Sequence, residues 1–252
     1  VSDPPAAGPT VHGVYDYWLR GGQHLRADRE LGRAIAERFP RVPEHVRAAH
    51  EFHLRAAVWC AERGVSRFVR TGHLTAPPGR NVHDAVRGVD PAARVIYASQ
   101  SEAAHEWAQA LLSGDPGHEA VLTGEDGILA ERPVRAMLAD GKPVCVIAGM
   151  VLHFTPAGKA AWQVARVAAA LPPGSFLAVS VALLDSSRQA GELAAMFTPA
   201  RLYRHTAEDV AGWLEDAGLQ VAPPGVADVT ARGWAEAARP PGFIAGGVAV
   251  KR

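Results

Sequence analysis

Cysteine is scarce in this chain of 252 residues: there are two, Cys60 and Cys145, both inside apolar patterns. Thiols so placed read as buried and inert, because free cysteine is among the most buried residue types. Two of them make no metal site and, in a reducing compartment, no disulfide. Long hydrophobic runs are also missing. The most apolar stretch, 144–154, is about half the length a membrane-spanning helix needs, so no membrane partner is expected. Charge of one sign is absent too, since 26 Lys and Arg balance 26 Asp and Glu. The two signs are interspersed and no basic stripe awaits a phosphate backbone, which argues against nucleic acid. Residues 1–10 are rich in Pro and Ala and lack the cationic-then-apolar order of a secretion signal, so a cytoplasmic protein is expected. Zinc-ligand spacing, a nucleophile elbow and a phosphate loop are all missing. Hydrolase and kinase readings therefore have no support.

What is present is apolar residue, 48% of the chain, in a pattern that changes once along its length. Up to about residue 64 it is helical: over 44–63, Val46, Ala49, Leu54, Ala57, Val58 and Ala61 share one broad face, and Gly64 suits the helix end. From there short apolar runs alternate with helical segments. Strands are expected at 67–71, 94–99, 120–123, 144–150 and 175–181, with helices at 102–112, 128–139 and 157–171. Several strands lack polar alternation, as strands covered on both faces do. The alternation of types predicts βαβ units and a mostly parallel α/β sheet flanked by helices. Thr206 and Asp209 form a reciprocal cap that opens a helix ending near Gly218. A last strand is expected at 243–250, weakened or bulged by Gly246 and Gly247, after an irregular Pro/Gly-rich tract at 223–241. No repeat or linker divides the chain. One structural domain is expected, with a helical extension at 1–64 and a core at 65–252.

Ligands of such sheets sit at the carboxyl ends of the strands, near the point where strand order reverses. The first strand runs into a loop opened by Gly72, where backbone can approach a ligand closely; a purely steric need for glycine there explains it equally well. Read together, several segments are more specific. Tyr15-Asp16-Tyr17-Trp18-Leu19-Arg20-Gly21 and Ala27-Asp28-Arg29-Glu30 come first. Asn81-Val82-His83, Val95-Ile96-Tyr97, Val151-Leu152-His153-Phe154 and Leu171-Pro172-Pro173-Gly174-Ser175 follow in order, then the helix opened by Thr206 and Trp234. This set resembles an actinobacterial family of S-adenosylmethionine-dependent methyltransferase-like proteins, for long a domain of unknown function, and the resemblance covers nearly the whole chain.

The resemblance implies a Rossmann-like methyltransferase fold, S-adenosylmethionine as cofactor, no metal, and a small-molecule substrate in specialised metabolism. It places Gly72, His73, Ser99, Gln100, Glu125 and Met150 at the cofactor. His153 becomes a base or orienter beyond the fourth strand, with Tyr15 and Asp16 beside it. Tyr17, Arg20, Gly21 and His83 fall to a lid and to the substrate. Each has a plain structural alternative: His83 as a cap or packed ring, His153 as a satisfied core histidine, Asp16 as a cap, Asp28 and Arg29 as a surface pair or lid anchor.

The departures from the family pattern are specific. Arg70 stands where an acid is usual, Leu74 where a second glycine is usual, and Ser99-Gln100-Ser101 where an Asp-Asn-Asp-like run is usual. Glu125 and Asp126 are displaced from the acid expected near the third strand. Each lost charge-assisted hydrogen bond is worth roughly 1.5–3 kcal/mol; two without replacement weaken binding on the order of 100-fold. Three functions follow: a methyltransferase with an eroded cofactor site, a cofactor-independent enzyme for cyclisation or elimination, and a catalytically silent partner protein.

Overall fold

The computed structural model describes residues 8–72, 77–231 and 242–252. Three helices come first: α1 (Val11–Trp18), α2 (Arg26–Arg38) and α3 (Arg41–Ala61). β1 (Arg67–Thr71), α4 (Val82–Arg87), β2 (Arg94–Ser99), α5 (Glu102–Leu111), β3 (His118–Leu122), α6 (Arg132–Ala139), β4 (Cys145–Gly149), α7 (Ala157–Ala170) and β5 (Phe176–Ala182) then alternate. α8 (Arg188–Met196), α9 (Ala207–Asp216), β6 (Gln220–Val221), β7 (Ala227–Asp228) and β8 (Ile244–Val250) close the chain. The strand order is β3-β2-β1-β4-β5-β8-β6, with β7 also paired to β8. β1 to β5 are parallel, whereas β8 runs antiparallel between β5 and β6.

Strand alternation sends side chains to two separate cores. Phe68, Val95, Cys145, Ile147, Ala178 and Val248 face α3, meeting Val46, Ala49, Ala56 and Cys60. Val69, Ile96, Val146, Leu177 and Val179 face the other way, against Val164 and Ala168 of α7 and Val210 and Leu214 of α9. Covered on both faces, β4 and β5 are buried along their whole length, which is why their sequences show no polar alternation. The two cysteines, 85 positions apart in the sequence, meet between α3 and β4; the hydrogen bond with Cys60, and then burial, push the Cys145 thiol up.

Three expectations change. The segment expected as one helix at 128–139 is divided: a 3-10 turn, Ile128–Ala130, follows Gly127 at φ +75°, and Pro133 sits in the first turn of α6. α8, absent from the periodicity, forms on its Ser187 cap, which accepts from the Ala190 N–H at 3.1 Å. Gly246 and Gly247 do not bulge β8, whose register with β5 is unbroken. A Cβ on Gly246 would lie 2.8 Å from the Phe52 ring, so glycine there admits α3. Trp234 lies outside the described residues.

The N-terminal signature proves to be a clasp of buried carboxylates. Asp28 accepts from the Thr10 N–H at 2.7 Å and the Leu25 N–H at 2.7 Å, tying the starts of α1 and α2 together. Gly13 lies so close that a Cβ would fall 2.0 Å from that carboxylate. Asp16 accepts from the backbone N–H groups of Gln23 and His24 and from the His24 ring at 2.8 Å, gathering the loop between the helices. The Trp18 indole donates to the Gly32 carbonyl at 3.0 Å.

Candidate functional site

β1 lies between β2 and β4 although β2 and β3 follow it in the chain, so strand order reverses at the β1–β4 pair. A cleft of about 490 Å³ opens there, at the carboxyl ends of the strands. Its floor is Thr71 and Gly72 after β1, Ser99 and Gln100 after β2, and Thr123 after β3. One wall is the loop carrying Glu125 and Asp126; the other is α7, with Lys159, Trp162, Gln163 and Arg166. Ala148, Val151, Leu152 and Phe154 close the β4 side.

Much of the hydrogen-bonding capacity of the floor serves the fold. Ser99 Oγ accepts from the Ser101 N–H at 3.1 Å, and Ser101 Oγ caps α5 through the Ala104 N–H at 3.3 Å. Gln100 donates to the Gly124 carbonyl at 3.1 Å, joining the ends of β2 and β3. Among the described residues this leaves the Ser99 hydroxyl proton and the Gln100 carbonyl oxygen for a ligand. On the far wall the Trp162 ring is 54% exposed, with the Arg166 guanidinium 4.7 Å from its centre. An exposed indole under a cation offers a flat apolar face for stacking.

Arg70 does not enter the cleft. Its side chain turns to the α3 face, where it is buried, donating to the Thr71 carbonyl and, at 3.4 Å, to Nδ1 of His53. Nδ1 of His53 accepts, so Nε2 carries the proton and donates to Ser180 Oγ at 2.7 Å. Ser180 also accepts from the N–H of Met150, a buried residue held at φ +56°. The space for this chain of contacts comes from Gly149, where a Cβ would lie 2.5 Å from the His53 ring and 2.7 Å from Arg70. Desolvation lowers Arg70 to about 10 and holds His53 well below the usual histidine range. Arg70 thus stays charged at neutral pH while His53 stays neutral.

The candidate catalytic residues fall into two groups. Tyr15 and His153 meet, Oη to Nε2, at 3.1 Å, both buried. His153 Nδ1 accepts from the Ala182 N–H at 3.3 Å, which puts its proton on Nε2, directed to Tyr15. Burial pushes the Tyr15 hydroxyl far above its ordinary value, so it stays neutral. Neither lines the cleft, but Leu152 and Phe154, on either side of His153, do. Asp16 belongs to the clasp, with Gly21 packed on its carboxylate. Tyr17 stacks edge-on with His24, and Arg20 is exposed at φ +62°. His83, in the first turn of α4, is buried, its Nδ1 2.8 Å from the Tyr97 hydroxyl. His73 lies outside the described residues. Gly72, Ser99, Gln100 and Glu125 come together in the cleft; Met150 lies buried behind it.

The α7 wall was missed by the sequence reading, although a signal exists. Lys159, Trp162 and Arg166 recur at helical spacing opposite the core face of Ala160, Val164 and Ala168, and a tryptophan on the polar face of an amphipathic helix is out of place. The contact of Arg70, His53 and Ser180 has no such signal.

The cleft's volume suits a small-molecule ligand. Its hydroxyls, the Gln100 amide and the mouth carboxylates of Glu125 and Asp126 suit a nucleoside. Beside Gly72 the charge is positive, which suits a carboxylate. Among the described residues no three His, Cys, Asp or Glu side chains gather to hold a metal, and no helix is long and apolar enough to cross a membrane.

Parallel strands β1 to β5 with one reversed strand beside β5, and a polar cleft at the switch point, define the Rossmann-like methyltransferase class. Residues 5–251 match the S-adenosyl methyltransferase family, and the chain belongs to it. A crystal structure of a DUF574 family protein from Streptomyces avermitilis MA-4680 superposes with TM-score 0.83 at 26% identity, covering 97% of this chain and 98% of that one. That of a candidate methyltransferase from Thermobifida fusca YX superposes with TM-score 0.83 at 23% identity, covering 98% and 97%. Human N-acetylserotonin methyltransferase, solved with S-adenosylmethionine, shares the fold at TM-score 0.51 and 15% identity, over 88% of this chain and 59% of that one. No curated protein matches.

Proposed function

We propose that the chain is an S-adenosylmethionine-dependent methyltransferase of a small molecule, with a cofactor site that grips the nucleoside mainly through neutral groups. The observation that carries this reading is the cleft at the ends of β1 to β4, with Gly72, Ser99, Gln100 and Thr123 on its floor and Glu125 at its mouth. The chemistry the cofactor supplies is an electrophilic methyl group on a sulfonium. The protein's share is positioning and, for acceptors that need it, a base. Trp162 and Arg166 give an acceptor ring a surface to lie on, and Glu125 and Asp126 are the carboxylates that reach the cleft. Tyr15 and His153 are positioning residues in this reading: their contact fixes the segment that brings Leu152 and Phe154 to the cleft, and the clasp of Asp16 and Asp28 holds α1, which carries Tyr15, against α2. The test is calorimetry with S-adenosylmethionine and S-adenosylhomocysteine. Binding of both is expected, and no heat at millimolar ligand sinks the proposal.

A second reading keeps the cleft and drops methyl transfer. Arg70 favours it, because a cation beside Gly72 repels a sulfonium and an ammonium group. The scaffold would then serve a cyclisation or elimination without the cofactor. Mass spectrometry of ligands carried through purification decides: S-adenosylmethionine or S-adenosylhomocysteine recovered in stoichiometric amount removes this reading.

A further inference from the structure

A guanidinium without a carboxylate partner is unusual in a protein interior, because an ion taken from water loses solvation that only an opposite charge and further hydrogen bonds restore. Arg70 is 3% exposed. Two of its partners, the Thr71 carbonyl and His53 Nδ1, accept protons but carry no charge. Among the described residues no acidic side chain pairs with it.

The surroundings are built around this cation. Gly149 and Gly72 leave room for it from either side: a Cβ on the first would lie 2.7 Å, and on the second 3.1 Å, from Nη1. Next to it is a cavity of about 10 Å³ lined by Arg70, Gly72, Tyr97, Ser99 and His105. Nδ1 of His105, at this cavity, is buried without a hydrogen-bond partner among the described residues. The volume is about that of one probe sphere, room for a single oxygen atom. Gly72 and Ser99 line this cavity and the large cleft alike, so a ligand lying in the cleft can extend an oxygen toward the guanidinium.

We propose that Arg70 is the receptor for the carboxylate of the ligand bound in the cleft. The inference rests on the cleft being a ligand site and holds whether or not a methyl group is transferred. Two sources share the chemistry: the amino-acid carboxylate of an adenosyl ligand, and the carboxylate of a small organic acid. The pair would be charge-assisted and shielded from water, the conditions under which such bonds are strongest. The positive charge that disfavours an ammonium group beside Gly72 thereby selects the anionic end of whatever binds.

The test uses the full chain labelled with ¹⁵N-arginine, with Arg70→Lys identifying the Arg70 Nε–H resonance by its loss. Wild type is titrated with S-adenosylhomocysteine, with its decarboxylated counterpart, and with acetate and benzoate. A shift of that resonance with S-adenosylhomocysteine, and affinity about 30-fold or more above that for the decarboxylated ligand, is the expected result. Arg70→Gln is expected to bind both adenosyl ligands alike. The wild-type comparison stands by itself if that variant fails to fold. A shift with acetate or benzoate while neither adenosyl ligand binds upholds the receptor, assigns an organic acid as its source, and sinks the methyltransferase reading. Equal affinities in wild type, or a resonance unmoved by every carboxylate, overturns the inference. If S-adenosylhomocysteine nonetheless binds in that case, the methyltransferase reading survives.

Discussion

Gly21 follows Arg20, which sits in the left-handed region, and it packs against a carboxylate already holding three donors. A Cβ at Gly21 would lie 1.8 Å from Asp16 Oδ1, and the carboxylate cannot withdraw without releasing the loop. Gly21→Ala is therefore expected to destabilise the protein by about 1–3 kcal/mol, the usual cost of overpacking. Urea denaturation measures it, and an unchanged midpoint would mean that the clasp is slack. The same residues show how signature and site can differ. Tyr15-Asp16-Tyr17 is a dense polar-aromatic cluster in the sequence and invites a catalytic role. Its burial and bonding partners come from residues as distant as His153.

Some helices here begin where a side chain takes up free N–H groups of the first turn, and the start of α9 was legible. Thr206 Oγ1 accepts from the Asp209 N–H at 3.1 Å, and Asp209 accepts from the Thr206 N–H at 2.7 Å, as the spacing predicts. Because the pair is exposed, Thr206→Ala should remove the cap and little else, costing about 1 kcal/mol. Thr206→Ser should stay within a few tenths of wild type. Thermal melting of the three proteins compares them; equal losses in both variants would place the effect in packing of the threonine methyl. β1 and β2 have the expected limits because their apolar runs are bounded by charge and turn residues. α8 was missed because a nine-residue helix with only Leu193 fully buried carries too weak a period. The two-residue strands β6 and β7 exist only through pairing to β8, which local sequence does not encode.

Across the whole molecule, several histidines are stored neutral. Burial lowers His50 and His118 to about 4, holds His53 well below the usual range and lowers His83. The unfolded chain titrates these groups near 6.5. Below that value it binds protons the folded protein refuses, so stability is full above about pH 6.5 and falls as the pH drops toward 4. Urea midpoints measured from pH 7.5 to 4.5 should decline steadily through this window. A flat profile would contradict the burial of these rings.

The sequence by itself determined the class of fold, the alternation of the main strands and helices along the chain and most of their limits, because apolar period, caps and turn residues act over a few neighbouring positions. It also pointed to the ends of β1 and β2, where Gly72, Ser99 and Gln100 line the cleft. Only the tertiary structure decided where Arg70 points, that His53 and Ser180 meet it, and that Trp162 borders the cleft. Those contacts join positions up to 127 residues apart, and strand order and helix packing, which local patterns leave open, bring them together.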